Sequence, residues 1–297
     1  MAFMSRNGST NGKIVALLSD FGSRDGYAGI MKGVILSRDP GIRIIDLTHQ
    51  IEPHNILSGA YVLYSAWNYL PPGSVVCAVV DPGVGSGRAA VVAQFNARTL
   101  IAPDNGLISL LVRMIPDGRS YALQPDSILE LTEGTSVQGL RTGGSPLLLS
   151  SSNTFHGRDL FAPAAALCAT GFTRRIRGRA IEPVVLPDAM VEQHPDAVTG
   201  KILHIDRFGN CISSVHSTDL AAVDSKRDQA LDIQCGKFSE NRIRRTYADV
   251  PVGEALCLMG SCAFLEIAVR EASAAERFGI TQGQSITVSA RKYRERV

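Results

Sequence analysis

The strongest constraint on the fold is an unbroken apolar run at residues 75–80, VVCAVV, followed directly by the glycine-rich turn DPGVG at 81–85. A run of small and β-branched residues without a polar position predicts a strand buried on both faces, as in a parallel sheet covered by helices. Asp81, the first residue of the turn, then lies at the carboxyl end of that strand, where open α/β sheets bind ligands. The glycines allow close approach to a ligand because they carry no Cβ.

The rest of the first half alternates short apolar runs with segments of helical periodicity. The predicted elements are strands at 14–18, 42–47 and 75–80, helices at 27–38, 56–69, 107–114 and 160–170, and a hairpin formed by 89–95 and 99–102. This alternation predicts a three-layer α/β domain with a mostly parallel sheet. Residues 130–152 are rich in Gly, Ser and Thr, which predicts a long mobile insertion.

Beyond residue 197 the pattern changes to short strand-like runs with few helices. The predicted strands are 200–205, 211–215, 230–234, 254–259, 264–269 and 285–288. Strands at this spacing predict a smaller all-β domain, which we expect to be barrel-like. The expected organisation is a disordered leader at 1–12, an α/β domain at 13–180, a linker at 181–196 and a β domain at 197–297.

Composition limits the classes of partner. The formal net charge of +2 over 297 residues is too small to favour nucleic acid or an anionic membrane surface. No apolar run reaches the length of a membrane span, and no pair of the six cysteines has the C-x-x-C spacing of a zinc site. We expect a cytoplasmic protein with buried free thiols and no metal.

Polar side chains collect at the ends of the predicted strands and in one loop. Each alone is an ordinary turn or cap residue. The carboxyl ends of parallel strands share one edge of the sheet, however, so that several together indicate a site. The candidates are Asp20, Asp25, Asp81, Arg88, Asp104 with Asn105, and His156 with Arg158.

Six motifs in a fixed order carry a resemblance that covers residues 13–288. They are SDFG at 19–22 with DG at 25–26, DLTH at 46–49, DPGVG at 81–85, PDNG at 103–106, FHGRD at 155–159 and DRFGN at 206–210. In this combination the chain resembles the S-adenosylmethionine (SAM) hydrolases, also called SAM hydroxide adenosyltransferases, which are related to the fluorinase and the chlorinase. The resemblance implies that water or hydroxide displaces methionine from C5′ of SAM and produces adenosine, without a cofactor. It also implies a homotrimer whose active sites lie between the N-domain of one subunit and the C-domain of the next.

The resemblance also assigns roles by position. Asp81, Arg88 and His156 match a triad around the attacking water, and Asp20 matches the carboxylate that holds both ribose hydroxyls. The further substrate-binding residues that it implies are Asp25, Asn105, Asp206, Asn210, Tyr247 and Ser261. The chain departs from the family pattern near the adenine site at Gly260, Arg270 and Glu271.

The expected chemistry follows from the substrate. The sulfonium of SAM leaves as a neutral thioether and needs no acid, so the difficulty is the weak nucleophile. We expect a neutral His156 to take the proton of the water, Arg88 to stabilise hydroxide character, and Asp81 to hold Arg88 and the water in line.

Three alternatives remain open. A halide adenosyltransferase is disfavoured because a carboxylate at Asp81 repels a halide; the halogenases have Tyr at that position, and the fluorinase has Ser where this chain has Gly157. A non-catalytic SAM- or adenosine-binding protein would not need His156. A metal-dependent phosphohydrolase would use oxygen ligands such as Asp20, Asp25, Asp81 and Asn105.

Overall fold

The structure is a computed structural model that describes residues 13–133, 154–220, 223 and 231–290. The chain divides into two compact units, one containing residues up to 59 together with 66–184, the other containing residues 60–65 together with those from 185 onward. The predicted leader at 1–12 lies outside the described residues, as does most of the predicted insertion.

The first unit is organised around one sheet, which has seven strands within the described residues. Its strands are β1 (Ile14–Ser19), β2 (Arg43–Thr48), β3 (Val75–Val79), β4 (Ala90–Phe95), β5 (Arg98–Pro103), β6 (Arg119–Leu123) and β7 (Arg177–Ala180). Their order is β2-β1-β3-β5-β4-β6-β7. The pairs β1–β2, β1–β3 and β3–β5 are parallel, and the pairs β4–β5, β4–β6 and β6–β7 are antiparallel. The prediction of a mostly parallel sheet therefore holds for one half only, and the sheet is mixed.

The helices of this part of the chain follow the predicted pattern with local differences. They are α1 (Tyr27–Arg38), α2 (Ile56–Trp67), α3 (Ser109–Met114), α4 (Pro125–Glu133), α5 (Ala162–Ala169) and α6 (Thr173–Ile176). The helix predicted at 27–38 is confirmed. The helix predicted at 160–170 instead starts as a π-helical turn, Gly157–Phe161, and continues as α5. Residues 130–133 belong to α4 rather than to the insertion.

The core of the first unit lies between the central strands and the helices packed on them. Every residue of β3 is buried, as the apolar run predicted. On one face the strand side chains pack with Met31 and Ile35 of α1 and with the alanine-rich α5. The predicted hairpin is confirmed as β4–β5; its turn residues, Asn96 and Ala97, have φ values of 44° and 59°.

The second unit is a nearly closed, barrel-like sheet, with nine strands in the part of the chain that the structure describes. The strands are β8 (Glu192–His194), β9 (Ala197–Ile205), β10 (Cys211–His216), β11 (Leu231–Cys235), β12 (Phe238–Glu240), β13 (Ile243–Arg244), β14 (Ala255–Met259), β15 (Phe264–Val269) and β16 (Ser285–Ala290). β8 pairs with β9, so part of the predicted linker belongs to this sheet. A short helix, α7 (Ala274–Phe278), precedes β16.

The six cysteines are free thiols, and five of them are buried. Burial raises the pKa of Cys235 to about 11, which keeps this side chain protonated and unreactive at neutral pH. In the described ranges, no helix combines the length and the hydropathy that a bilayer crossing requires.

Candidate active site

The turn after β3 folds back so that its two charged residues meet. Val84 N–H donates to the carbonyl of Asp81 (3.2 Å), Ser86 N–H donates to that of Gly83 (3.1 Å), and Gly85 has a φ of 78°. Arg88 Nε donates to Asp81 Oδ1 at 2.8 Å, and Arg88 Nη2 donates to Asp81 Oδ2. The Asp81 and Arg88 side chains are only 5% and 11% exposed. The result is a bidentate, largely desolvated ion pair with fixed geometry.

His156 joins this pair through the same guanidinium. Arg88 Nη2 lies 2.9 Å from His156 Nδ1. An arginine donates only, so Nδ1 accepts, and the neutral imidazole carries its hydrogen on Nε2. Burial, followed by the charge of Arg88, lowers the pKa of His156 below its ordinary 6.5, against the opposing charges of Asp81 and Asp159. His156 is therefore neutral at pH 7 and presents an N–H donor at Nε2.

The π-helical turn positions both His156 and Phe161, whose ring packs against Arg88. Its N-terminal neighbour is His156, and its last residue, Phe161, is fully buried with its ring 5.2 Å below the Arg88 guanidinium. Single π-helical turns within α-helices are frequent at functional sites.

A cavity of about 280 Å³ lies beside the triad. Because Ser19 pairs with Val79 in the β1–β3 register, the residues that follow these strands reach the same sheet edge. Asp20 Oδ2 accepts from His54 N–H at 2.9 Å, and among the described residues Asp20 Oδ1 has no hydrogen-bond partner. The cavity is lined by Asp20, Phe21, Tyr27, Pro53, His54, Val79, Asp81, Val84, Thr154, Phe155, His156 and Gly157.

Three aromatic rings form one side of the cavity. The ring centroids of Phe21 and Phe155 are 5.8 Å apart, and Tyr27 lies 5.7 Å from Phe21 and 5.1 Å from Phe155. A Cβ at Gly157 would lie 2.9 Å from Phe155 Cε2 and 3.1 Å from Phe21 Cζ. Glycine at 157 thus lets the two rings close onto the backbone beside His156.

Two predicted residues of the first unit lie apart from this cavity. Asp25 is exposed on the loop before α1 and does not line the cavity. Asn105 instead joins main-chain segments: its amide donates to the carbonyl of Val80 at 2.8 Å, and its oxygen accepts from Leu107 N–H at 3.2 Å.

The remaining predicted residues belong to the second unit. Asp206 Oδ1 accepts from the N–H groups of Phe208 (2.8 Å) and Asn210 (2.9 Å), and Asp206 Oδ2 accepts from Asn210 Nδ2 at 2.9 Å. These bonds fix the carboxylate and the amide side by side at the turn after β9. Ser261 is exposed at the turn before β15.

Tyr247 is held by a residue that the sequence analysis missed. Its hydroxyl donates to Oε1 of Glu266 at 2.5 Å, while the residue as a whole is 40% exposed. Glu266 is 7% exposed. Burial raises the pKa of Glu266, the hydrogen bond from Tyr247 opposes this, and the charge of Asp206 raises it further. The available signal was the single charge inside the apolar run 264–269.

His54 was also missed. It lines the cavity, binds Asp20 through its main chain and has a φ of 68°, unusual for a residue with a Cβ. Within the described ranges, no group of three or more His, Cys, Asp or Glu side chains is placed to hold a metal ion.

Comparisons with known proteins identify the same family as the motifs. The family models of the SAM hydroxide adenosyltransferase N-terminal and C-terminal domains match residues 15–176 and 200–287. A relative from Thermus thermophilus named (R)-S-adenosyl-L-methionine hydrolase is 36% identical, covering 92% of this chain and 98% of its own. One of the same name from Methanocaldococcus jannaschii is 31% identical over 86% of this chain and 87% of its own. A fluorinase from Actinoplanes sp. is more distant, at 24% identity over 93% of this chain and 97% of its own.

Solved structures share the fold. A crystal structure of an uncharacterized conserved protein from Thermotoga maritima has a TM-score of 0.76 and 28% identity, covering 93% of this chain and 99% of that one. The resemblance drawn from the motifs is confirmed: with both domain models matching and relatives above 30% identity along most of its length, the chain belongs to the SAM hydroxide adenosyltransferase family.

Proposed function

We propose that this protein hydrolyses SAM to adenosine and L-methionine. The observation that carries the proposal is the Asp81–Arg88–His156 triad, two of whose members line the same cavity as Asp20. The names of relatives more than 30% identical to the chain, (R)-S-adenosyl-L-methionine hydrolase, support the same reaction.

The nucleophile is a water or hydroxide held by His156 and Arg88. Since Nδ1 of His156 accepts from Arg88, Nε2 donates to the oxygen of the nucleophile and does not take its proton. This donor and the adjacent guanidinium stabilise negative charge on that oxygen. The proton therefore passes to solvent, and the role of a general base that the sequence suggested for His156 is replaced by that of a donor.

The bonds change in one displacement. The oxygen forms a bond to C5′ of SAM while the C5′–S bond breaks, and sulfur keeps the electron pair as the neutral thioether of methionine. Asp81 holds Arg88 with both oxygens, so its role is orientation. In ideal models such positioning is worth up to about 7–11 kcal/mol.

The substrate contacts follow the motif assignments. Asp20 accepts the ribose hydroxyls, for which Oδ1 is available among the described residues. On the resemblance, Asp206, Asn210, Tyr247 and Ser261 of a neighbouring subunit bind the methionine and adenine ends. Asp25 and Asn105 lie apart from the cavity, so substrate binding by these two residues stays a prediction from the resemblance alone. The reaction uses no metal or cofactor; we expect turnover to be insensitive to chelators, which also tests the phosphohydrolase alternative.

Hydrolysis is favoured over halide transfer because the relatives at 31–36% identity are named hydrolases, whereas the fluorinases are only 24–26% identical. The test is incubation with SAM in ¹⁸O-water, with and without chloride or fluoride, followed by mass analysis. We expect ¹⁸O in the 5′ oxygen of adenosine. Halide-dependent formation of a 5′-halo-5′-deoxyadenosine with little adenosine would overturn the proposal, and tight SAM binding without product would favour the binding-protein alternative.

We propose the finer organisation on the same resemblance: a three-layer α/β domain at 13–180, a smaller β domain at 197–297, and a cytoplasmic homotrimer with shared active sites. Native mass spectrometry of the full chain tests the trimer. A monomer that retains full activity would contradict it. Limited proteolysis tests the domain bounds.

A further inference from the structure

A chain of hydrogen bonds in the first unit has no role in the proposed displacement. Lys32 Nζ lies 2.6 Å from Asp46 Oδ2, His49 Nε2 lies 3.1 Å from Asp46 Oδ1, and His49 Nδ1 lies 2.7 Å from Ser19 Oγ. We call these four residues the His49 relay. Its members come from α1, from β2, from the residue after β2, and from the end of β1.

The relay has one consistent direction. The carboxylate of Asp46 only accepts, so His49 Nε2 carries a hydrogen, and in the neutral imidazole Nδ1 accepts from the hydroxyl of Ser19. Ser19 Oγ then accepts from Phe21 N–H at 3.3 Å. The carbonyl of His49 accepts from Gly22 N–H at 2.6 Å. Burial raises the pKa of Asp46, but the hydrogen bonds from Lys32 and His49 outweigh this effect and lower the pKa overall. The acceptor at the end of the relay is therefore charged.

The arrangement Ser–His–Asp resembles a nucleophilic triad, but the environment of the serine excludes that role. Ser19 is 1% exposed and does not line the cavity, so a substrate does not reach Oγ. The relay ends instead on the backbone of Phe21 and Gly22, which flanks Asp20. Phe21 lines the cavity and packs on Phe155, the residue before His156.

We propose that His49 is a positioning residue: through Ser19 and Gly22 it fixes the loop that carries Asp20 and Phe21, and so sets the affinity for the ribose of the substrate. The inference rests on the proposed function, because it takes Asp20 as the ribose acceptor. None of the four relay residues lines the cavity.

The test uses the full chain and two matched variants. Ser19→Ala removes the side-chain link between the relay and Phe21 N–H, while the main-chain bond from Gly22 N–H to the carbonyl of His49 remains. Ser74→Ala is the control, because Ser74 is also 1% exposed and also donates one hydrogen bond, to the carbonyl of Pro71 at 2.7 Å, but lies at the opposite end of β3 from Asp81. Both variants should lose similar thermal stability.

Only Ser19→Ala should bind adenosine more weakly, by about three- to tenfold, as expected for one lost hydrogen bond. Its KM for SAM should rise by the same factor with kcat within about twofold of wild type, since ground-state and transition-state binding weaken equally. Hydrogen exchange at the amides of Phe21 and Gly22 should accelerate in this variant alone. His49→Asn, whose side-chain oxygen still accepts from Ser19, should be less affected than His49→Phe.

The outcomes separate the two proposals. Equal adenosine affinity in Ser19→Ala and wild type, or equal weakening in Ser74→Ala, would overturn the role of the relay and leave SAM hydrolysis standing. Wild-type protein that neither binds adenosine nor turns over SAM would overturn the proposed function together with this inference. Loss of kcat without a change in KM would assign the relay to the displacement step and contradict ribose positioning.

Discussion

At the scale of single residues, Arg88 is bound to both Asp81 and His156, and the charges of Arg88 and Asp81 shift the pKa of His156 in opposite directions. The carboxylate of Asp81 holds the guanidinium in place, and the guanidinium keeps His156 neutral by donating to Nδ1. Changing Arg88 to Met removes this cation and leaves Asp81 beside the imidazole. The pKa of His156 should then rise above its wild-type value, which NMR titration of the imidazole measures with His156→Gln as the assignment control. A pKa that stays the same or falls would show that Arg88 does not set it.

The same shift sets the acid side of the pH profile. The pKa of His156 lies below the ordinary 6.5, so the imidazole gains its proton at a lower pH than an unperturbed histidine does. We expect kcat/KM to fall on the acid side with an apparent pKa below 6.5. An acid limb with an apparent pKa above 6.5 would contradict this assignment.

Asp81→Asn tests whether Asp81 acts by holding Arg88 in place. The amide keeps one oxygen acceptor but loses the bidentate pair with Arg88. We expect kcat to fall by about 10²-fold, as for a misplaced reacting group, with adenosine affinity nearly unchanged. Steady-state kinetics and calorimetry on folded protein provide both numbers; a rise in KM alone would move Asp81 to substrate binding.

At the scale of secondary-structure elements, the turn of the β4–β5 hairpin contains backbone strain that a glycine would relieve. Two consecutive residues with positive φ form the turn, and the second, Ala97, is exposed and carries a Cβ. Ala97→Gly should raise the free energy of unfolding by about 0.5–1 kcal/mol, since relief of the left-handed strain exceeds the extra entropy of glycine in the unfolded chain. Urea denaturation measures this. Asn96→Gly is the control and should gain less, because Asn tolerates this conformation.

The elements that the sequence predicted well are those with a strong local signal. The apolar run of β3, the helical periodicity of α1 and the β4–β5 hairpin all appear as expected. β6 and β7, RSYAL and RGRA, were missed because short strands with charged residues lack both alternation and an apolar run. The π-helical turn was missed because its composition matches an ordinary helix start.

At the scale of the whole molecule, pH-dependent stability should be influenced by the buried Glu266. Its pKa is raised above 4.5, so the folded state holds this proton more tightly than the unfolded state, and stability falls as pH rises through the folded pKa. Glu266→Gln does not titrate and keeps an acceptor for Tyr247. Thermal denaturation should show the variant to be more stable at pH 7 and equal to wild type below pH 4.5. A constant difference at every pH would contradict this linkage.

The sequence predicted those polar side chains near the cavity whose position follows from the end of a strand. Asp20 and Asp81 converge because β1 and β3 are parallel neighbours in register. The sequence could not predict hydrogen-bond partners and directions. Nδ1 of His156 faces Arg88, and Asn105 binds main chain, because of side-chain geometry that no residue pattern encodes. Glu266 and the His49 relay likewise depend on contacts between residues far apart in the chain.

The packing around Gly157 restricts how enzymes of this family can diverge. Because two phenyl rings occupy the space that a Cβ would need, replacement of this glycine by serine requires compensating changes at Phe21 or Phe155. A lineage that acquired serine at this position would therefore need a second, coordinated substitution at one of the two rings.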